Sequence, residues 1–146
     1  MYEGAEGVST GATVLILDSD IASVERLGEW VSEFGRRHEL DDMTVNELNL
    51  ALEEAVMNVI QHGRPEPREA SMRLTLRMDG DEIVATVTDG GIVFNPLLVP
   101  EPDLTADLAE RDLGGLGLHL ARSLVSSMEY ERRNGYNCLT LRKRRE

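Results

Sequence analysis

The period of the hydrophobic pattern changes partway along the chain, and this change constrains the fold more than any other feature. Residues 20–38 repeat apolar side chains every three or four positions, which predicts an amphipathic helix. A second helical pattern starts after Asp42 or Thr44 and runs to about His62. A short apolar run at 13–17 precedes both and has the β-branched composition of a strand. The first part of the chain is therefore predicted to be a strand followed by two helices.

Alternating patterns follow the helices. Residues 70–78 place apolar side chains at every second position, and a turn at 79–81 leads into a second alternating run at 83–87. After a long segment without a sustained period, a third helix is predicted near 115–117, and the Asn-Gly turn at 134–135 predicts a closing hairpin. This order predicts an α+β fold, a two-layer α/β sandwich with a mostly antiparallel mixed sheet and about three helices on one face.

Length and charge restrict the classes of protein to consider. The 146 residues fit one ordinary domain, of which we expect residues 1–12 to form a flexible N-terminus. The single Cys138 cannot form an internal disulfide, which favours a reducing, cytoplasmic setting. The net charge of −12 opposes unaided nucleic-acid binding, and no apolar run approaches the ~20 residues of a membrane span. We therefore expect a cytoplasmic domain that contacts neither nucleic acid nor membrane directly.

The second predicted helix carries polar side chains in a regular arrangement. Within E-E-A-V-M-N-V-I-Q-H-G, residues 53–63, Glu54, Asn58 and His62 are four positions apart and lie along one stripe. Asparagine supplies a hard oxygen suited to Mg²⁺, and a glutamate can accept a proton from a hydroxyl group or water. The alternative interpretation is a solvated polar face of an amphipathic helix.

Two glycine-rich segments complete the set of candidate sites. In V-T-D-G-G-I-V-F-N-P, residues 87–96, Asp89 stands where a strand gives way to a tight turn, and its carboxylate can accept from an amine. In D-L-G-G-L-G-L-H-L, residues 112–120, three glycines precede an amphipathic helix, whose exposed N–H groups can bind an anion. The first segment could also be an ordinary strand-ending turn. The second is a weak signal by itself, and it matches neither a P-loop nor a dinucleotide fingerprint.

Taken together, the three segments resemble the conserved boxes of the GHKL ATPase superfamily, and within it the anti-sigma factor serine-protein kinase group. E-L-N-L-A-L-E-E-A-V-M-N-V-I-Q-H-G is similar to the N box of that group. V-T-D-G-G-I-V-F-N-P is similar to its first glycine box, and G-G-L-G-L-H-L-A-R-S-L-V to its second. The similarity covers roughly residues 13–143, which is almost the whole chain.

The resemblance implies a Bergerat-type ATP-binding fold and assigns a role to individual residues. It implies that Glu54 is the general base and that Asn58 coordinates Mg²⁺. It implies that Asp89 accepts from the adenine amino group, that Gly91 lets the base lie close, and that residues 97–113 form the ATP lid. The remaining nucleotide contacts that it implies are Phe94, Arg111, Gly115, Leu116, Gly117 and Leu118.

The function that the resemblance implies is an ATP- and Mg²⁺-dependent serine/threonine protein kinase. It would phosphorylate an anti-sigma-factor antagonist, sequester a sigma factor in its other state, and form a homodimer. Two positions depart from the usual first glycine box, which has glycine where Val93 stands and aspartate where Asn95 stands. They motivate an alternative, a nucleotide-gated partner-binding module with little or no kinase activity. The small hydroxyl residue usual on the last strand has no clear match, and Asn137 or Thr140 could serve.

Overall fold

The computed structural model describes residues 11–18, 24–63, 71–91, 93, 95–98 and 121–145. Within these ranges it has five strands, two long helices and residues 121–124 of a third helix. The elements are β1 (Thr13–Asp18), α1 (Val24–Arg37), α2 (Asp42–Asn58), β2 (Ser71–Asp79), β3 (Glu82–Asp89), β4 (Ser127–Arg133) and β5 (Tyr136–Arg144). No helix in the described ranges combines the length and the apolarity that crossing a membrane requires.

The five strands form one open sheet in the order β1-β2-β3-β5-β4. Every neighbouring pair in this sheet is antiparallel, including the β2–β3 and β4–β5 hairpins that the turns predicted. The predicted α+β class and the order of elements are thus confirmed. The sheet that we expected to be mixed has no parallel pair among the described strands. β5 lies between β3 and β4, so the last strand along the chain is an internal strand of the sheet.

The hydrophobic core lies between the helices and one face of the sheet. Alternate residues of β2 and β3 supply the sheet side, and the three- and four-residue spacing of α1 and α2 supplies the helix side. Its largest fully buried side chains are Phe34, Leu17, Leu27, Leu48, Leu52, Met72, Leu74, Leu76, Ile83, Leu141, Val31 and Val56.

The register of β3 places an acidic side chain on this core-facing surface. Asp89 is opposite Met72 of β2 and shares its face with the buried Val87 and Ala85, because side chains of one strand alternate between faces. The same register places Asn137 of β5 opposite Asp89. The end of β3 therefore brings a carboxylate beneath α2 rather than into solvent.

α2 begins with a capping residue and ends in a widened turn. The Asp41 side chain accepts a hydrogen bond of 2.8 Å from the Thr44 N–H, which lowers the pKa of Asp41 and fixes the helix start at Asp42. After Asn58 the chain continues as a π-helical turn, Val59–Gly63, which the periodicity did not predict. Such turns are frequent at functional sites.

Lys143 ties three elements together. Its side chain, on β5, is buried, and Nζ donates to Glu47 Oε1 of α2 at 2.7 Å and to the Leu124 carbonyl at 2.7 Å. Leu124 is the last described helical residue of the third helix. A cation at a helix C-terminus satisfies free carbonyls and interacts favourably with the helix dipole. Lys143 therefore fixes the third helix against the sheet and α2.

The crossing of α1 and α2 depends on Gly35, which is buried. A Cβ atom at this position would lie 2.5 Å from Val45 Cγ2, and the β-branched valine has little rotational freedom with which to withdraw. We expect Gly35→Ala to lower the free energy of unfolding by about 1–3 kcal/mol, the usual range for overpacking. Urea denaturation followed by circular dichroism measures this change.

Gly28 of the same helix is the matched control. A Cβ atom there would meet only Asn49 Oδ1, at 3.9 Å. Because alanine is the better helix former by about 1 kcal/mol, Gly28→Ala should leave the protein equally stable or more stable. Equal effects of the two substitutions would contradict this account of the crossing.

Candidate functional site

A pocket opens between the C-terminal end of α2 and the ends of β3, β4 and β5. Its empty space, with the open mouth included, is about 320 Å³. Two residues singled out separately in the sequence, Asn58 and Asp89, both line it. The residues around it are Ala55, Asn58, Val59, Val87, Asp89, Pro96, Tyr130, Asn137 and Leu139. A mostly apolar pocket with a few convergent polar groups is typical of a small-molecule site.

Asp89 is the acidic group of this pocket, and its side chain is only 3% exposed. Its Oδ1 accepts from the Gly91 N–H at 2.8 Å and from Asn137 Nδ2 at 3.2 Å. Burial raises the pKa of Asp89, while these two hydrogen bonds and the charge of Arg132 oppose that rise. In its ionised form the carboxylate can accept a further hydrogen bond from a donor inside the pocket.

Asn137 is held by residues of the neighbouring strand. The Tyr130 hydroxyl donates to Asn137 Oδ1 at 2.5 Å, and Arg132 Nη1 donates to the same oxygen at 3.1 Å. Arg132 Nη1 also donates to the Gly91 carbonyl at 3.0 Å. Of the two candidates for the last-strand position, Asn137 lies beside Asp89, whereas Thr140 is opposite Thr86. Tyr130 and Arg132 were not anticipated from the sequence.

Asn58 lies on the helix side of the pocket and is 6% exposed. Its Nδ2 is buried and has no hydrogen-bond partner among the described residues. An unsatisfied buried amide costs free energy unless a ligand or water engages it. The orphaned Nδ2 is a donor and therefore fits contact with an acceptor of a bound group, whereas a metal ion would be held through the amide oxygen instead.

Glu54 lies one helical turn before Asn58 on α2 and is half-buried. Burial and the neighbouring charge of Glu53 raise the pKa of Glu54 above its usual value. Glu54 is not among the residues that line the pocket itself. A carboxylate with a raised pKa can act as a general base where a substrate hydroxyl group reaches it.

The two departures in the first glycine box do not obstruct the described part of the pocket. Val93 is 66% exposed, and its side chain is not part of the lining. Asn95 Oδ1 accepts from the Leu97 N–H at 2.9 Å and so begins the short 3₁₀ turn Pro96–Leu98. An aspartate could accept the same hydrogen bond, so asparagine preserves the local backbone here.

Several predicted contacts lie outside the described residues. Gly91 is described and lies two residues after Asp89, and His62 belongs to the π-helical turn. Of the predicted lid, residues 97–113, the description covers only 97 and 98. The residues outside it are Phe94, Arg111, Gly115, Leu116, Gly117 and Leu118.

Comparison with known sequences points to one family. Residues 17–143 match the family model of the histidine kinase-like ATPase domain. The chain is also similar to the serine/threonine-protein kinase BtrW of Bordetella bronchiseptica, with 34% identity over 94 residues. That alignment covers 64% of this chain and 66% of the relative.

Two solved structures have a similar fold. One contains the RsbU and RsbW domains of Rv1364c from Mycobacterium tuberculosis, with a TM-score of 0.67 and 20% identity. It covers 92% of this chain, but this chain spans only 32% of that one. The other is the SiaB–SiaC complex from Pseudomonas aeruginosa, with a TM-score of 0.60, 13% identity and 98% coverage of both chains. At these identities the likeness concerns the fold.

Proposed function

Because this chain belongs to the histidine kinase-like ATPase domain family, we propose that it is an ATP-binding anti-sigma regulatory factor with serine/threonine protein kinase activity. It phosphorylates an anti-sigma-factor antagonist and, in its other state, sequesters a sigma factor. The observation that carries the proposal is the convergence of Asn58 and Asp89 on one pocket. Asn58 comes from the N box and Asp89 from the first glycine box of the resemblance.

ATP binding follows from the family and from the chemistry of the pocket. The buried Asp89 carboxylate accepts from the amino group of adenine, and apolar side chains such as Val87 and Leu139 pack against the base. Asn58 lies on the opposite, helix side of the same pocket. Asp89 therefore contacts the base of the nucleotide, and Asn58 contacts the phosphate part of the same ligand.

Kinase activity is supported by Glu54 and by the similarity to a protein named as a serine/threonine-protein kinase. Glu54 accepts the proton of a substrate serine hydroxyl as its oxygen attacks the γ-phosphorus, and ADP leaves. Phosphoryl transfer depends mainly on positioning and on stabilisation of charge, with little covalent chemistry from the protein. One turn of α2 separates Glu54 from Asn58, so one helix presents both groups.

The chain's residues also fit Mg²⁺, which when bound neutralises part of the phosphate charge. Asn58 is the residue that would hold it. We expect Asn58→Ala to weaken ATP binding about 10-fold in the presence of Mg²⁺, as is typical for the loss of one hydrogen bond to a charged group. Without Mg²⁺ the same substitution should have a much smaller effect. Isothermal titration calorimetry with and without the metal measures both.

Asn49→Ala is the matched control for this substitution. Asn49 lies on the same helix, but its side chain donates to Glu53 and lines a separate groove between α1 and α2. We expect it to leave the Mg²⁺ dependence of ATP binding unchanged. An Asn58→Ala protein with an unchanged Mg²⁺ dependence would show that Asn58 does not hold the metal.

The proposed partners have different kinds of support. An antagonist partner is suggested by the fold neighbours, one containing RsbU and RsbW domains and the other a SiaB–SiaC complex. The sigma factor and the homodimer are proposed from the family resemblance, and the cytoplasmic location is proposed from the single Cys138. The acidic net charge of −12 suits protein partners better than nucleic acid.

The kinase proposal is tested by incubating the full chain with γ-labelled ATP and a panel of candidate antagonist proteins. We expect label on a serine or threonine of one antagonist. If the nucleotide binds and promotes antagonist capture but no label is transferred, the alternative of a nucleotide-gated binding module is correct.

A further inference from the structure

We propose that Arg132, Tyr130 and Asn137 form a relay that orients Asp89 and thereby determines which purine the pocket accepts. The relay consists of hydrogen bonds that run from the edge strand β4 through β5 to the end of β3. The inference rests on the proposed function, since it takes a nucleotide to be the ligand. It adds three positioning residues to the base-binding part of that site.

The first step is the orientation of the Asn137 amide. Tyr130 and Arg132 both donate to Asn137 Oδ1, at 2.5 and 3.1 Å. An arginine side chain can only donate, so the group facing it must be an acceptor. The amide oxygen therefore faces β4, and the amide nitrogen faces Asp89 at 3.2 Å. The reversed orientation would place an NH₂ group against the guanidinium of Arg132.

The second step concerns the two oxygens of Asp89, which have different partners. Oδ1 accepts from Asn137 Nδ2 and from the Gly91 N–H. Among the hydrogen bonds of the described residues, Oδ2 receives none, so it is the oxygen that faces a ligand. An ionised carboxylate can only accept, so the ligand must present a donor there. The amino group at position 6 of adenine is a donor, whereas the oxo group of guanine or hypoxanthine is not.

The third step is the position of Arg132, which acts on both neighbours of the carboxylate. Its Nη1 donates to Asn137 Oδ1 and also to the Gly91 carbonyl at 3.0 Å. The Arg132 guanidinium therefore holds both groups that donate to Asp89 Oδ1, the Asn137 amide and the turn that contains the Gly91 N–H. Its positive charge and the Asn137 hydrogen bond both lower the pKa of Asp89 and favour the ionised form. The relay thus fixes the position and the charge of the carboxylate together.

The test compares nucleotides that differ at position 6 of the purine, with inosine also carrying a proton on N1. Calorimetry of the full chain with Mg²⁺ uses ATP, purine riboside triphosphate, which lacks the amino group, and inosine triphosphate, which carries an oxo group. We expect the wild type to prefer ATP to both. Asn137→Leu should weaken ATP binding about 10-fold or more, with less than about a 2-fold effect on purine riboside triphosphate. The preference for ATP should therefore fall about 10-fold.

Two milder variants keep the test informative if Asn137→Leu does not fold. Tyr130→Phe removes only the hydroxyl group, and Arg132→Met removes only the guanidinium. Each substitution should lower the preference for ATP about 3-fold or more, which is typical of one lost hydrogen bond. Arg133→Met is the matched control, because Arg133 pairs only with the exposed Glu131 among the interactions of the described residues. It should leave the preference unchanged.

The outcomes separate this inference from the proposed function. Equal losses for ATP and for purine riboside triphosphate, or no loss for any relay variant, would mean that the relay is purely structural and would overturn the inference alone. If the wild type binds no nucleotide, the proposed function fails and the inference fails with it. A selective loss of ATP preference in the relay variants supports both.

Discussion

Replacement of Glu54 by glutamine should slow phosphoryl transfer sharply while Mg²⁺-dependent ATP binding persists. Glutamine has nearly the shape of glutamate but cannot accept the proton of the attacking hydroxyl group. General base catalysis contributes about 10²–10⁴-fold, so we expect the transfer rate to fall about 1000-fold. Glu54 does not line the pocket that contains Asp89, so the nucleotide affinity should change little. Single-turnover label transfer and calorimetry measure the two effects separately.

The adjacent Glu53 provides a control that also tests the pKa of Glu54. Burial and the charge of Glu53 raise the pKa of Glu54 above its ordinary value of 4.5, and only the ionised form acts as a base. Transfer by the wild type should therefore decrease as the pH falls through this raised pKa. Glu53→Gln should keep the transfer activity and move this decrease to lower pH, because one of the two causes is removed. Undiminished transfer by Glu54→Gln would exclude Glu54 as the base.

Replacement of Asp89 by asparagine should weaken ATP binding by about 100-fold or more, which corresponds to ~2.7 kcal/mol. The backbone N–H of Gly91 and Nδ2 of Asn137 both require an acceptor, so the oxygen of the new amide must face them. Its NH₂ group then faces the adenine amino group, and two donors meet. The same arrangement suits the oxo group of inosine triphosphate, so the base preference should reverse. Calorimetry with both nucleotides measures the change.

Asp89→Asn should not unfold the protein, so the loss of ATP binding can be measured on a folded chain. The folded state raises the pKa of Asp89 above its ordinary value of 3.8, chiefly through burial, so the folded chain binds this proton more readily than the unfolded chain. Asp89 consequently lowers stability as the pH rises from 3.8 through the raised pKa, and a neutral asparagine removes that effect. Asp79→Asn makes the same chemical change at the exposed end of β2 and should leave binding intact. ATP affinity unaltered by Asp89→Asn would refute the base-reading role.

The parts of the fold that local patterns encode were predicted correctly. The helical spacing of α2, the alternation of β2 and β3, and the Asn134–Gly135 turn each depend on neighbouring residues, and each element is present. The open strand order with β5 inside depends on pairing between residues far apart in sequence. The sequence patterns did not predict this order, whereas the family suggested by the resemblance is confirmed by the match of residues 17–143.

The same distinction explains what was missed in the site. Asn58 and Asp89 stand out locally, one as a polar residue on an apolar helix and one as an acid at a strand end. Tyr130 and Arg132 have no local signal, since their contacts with Asn137 and with the turn at Gly91 join strands that are far from Asp89 in sequence. The sequence could not specify that register because the β4–β5 turn fixes only the pairing within its own hairpin. The catalytic role of Glu54 and the nucleotide contacts stay predictions.

The position of β5 inside the sheet determines when, during synthesis, the site around Asp89 can be completed. Ribosomes synthesise the chain from its N-terminus, so Asp89 is made 48 residues before Asn137. Until β5 arrives, the carboxylate lacks its partner and β3 keeps an open edge that can pair with other strands. On the proposed function, ATP therefore cannot stabilise the nascent chain through an Asp89 oriented by Asn137 before residue 137 has emerged. We expect chains arrested between β3 and β5 to be recognised by chaperones and proteases rather than protected by nucleotide.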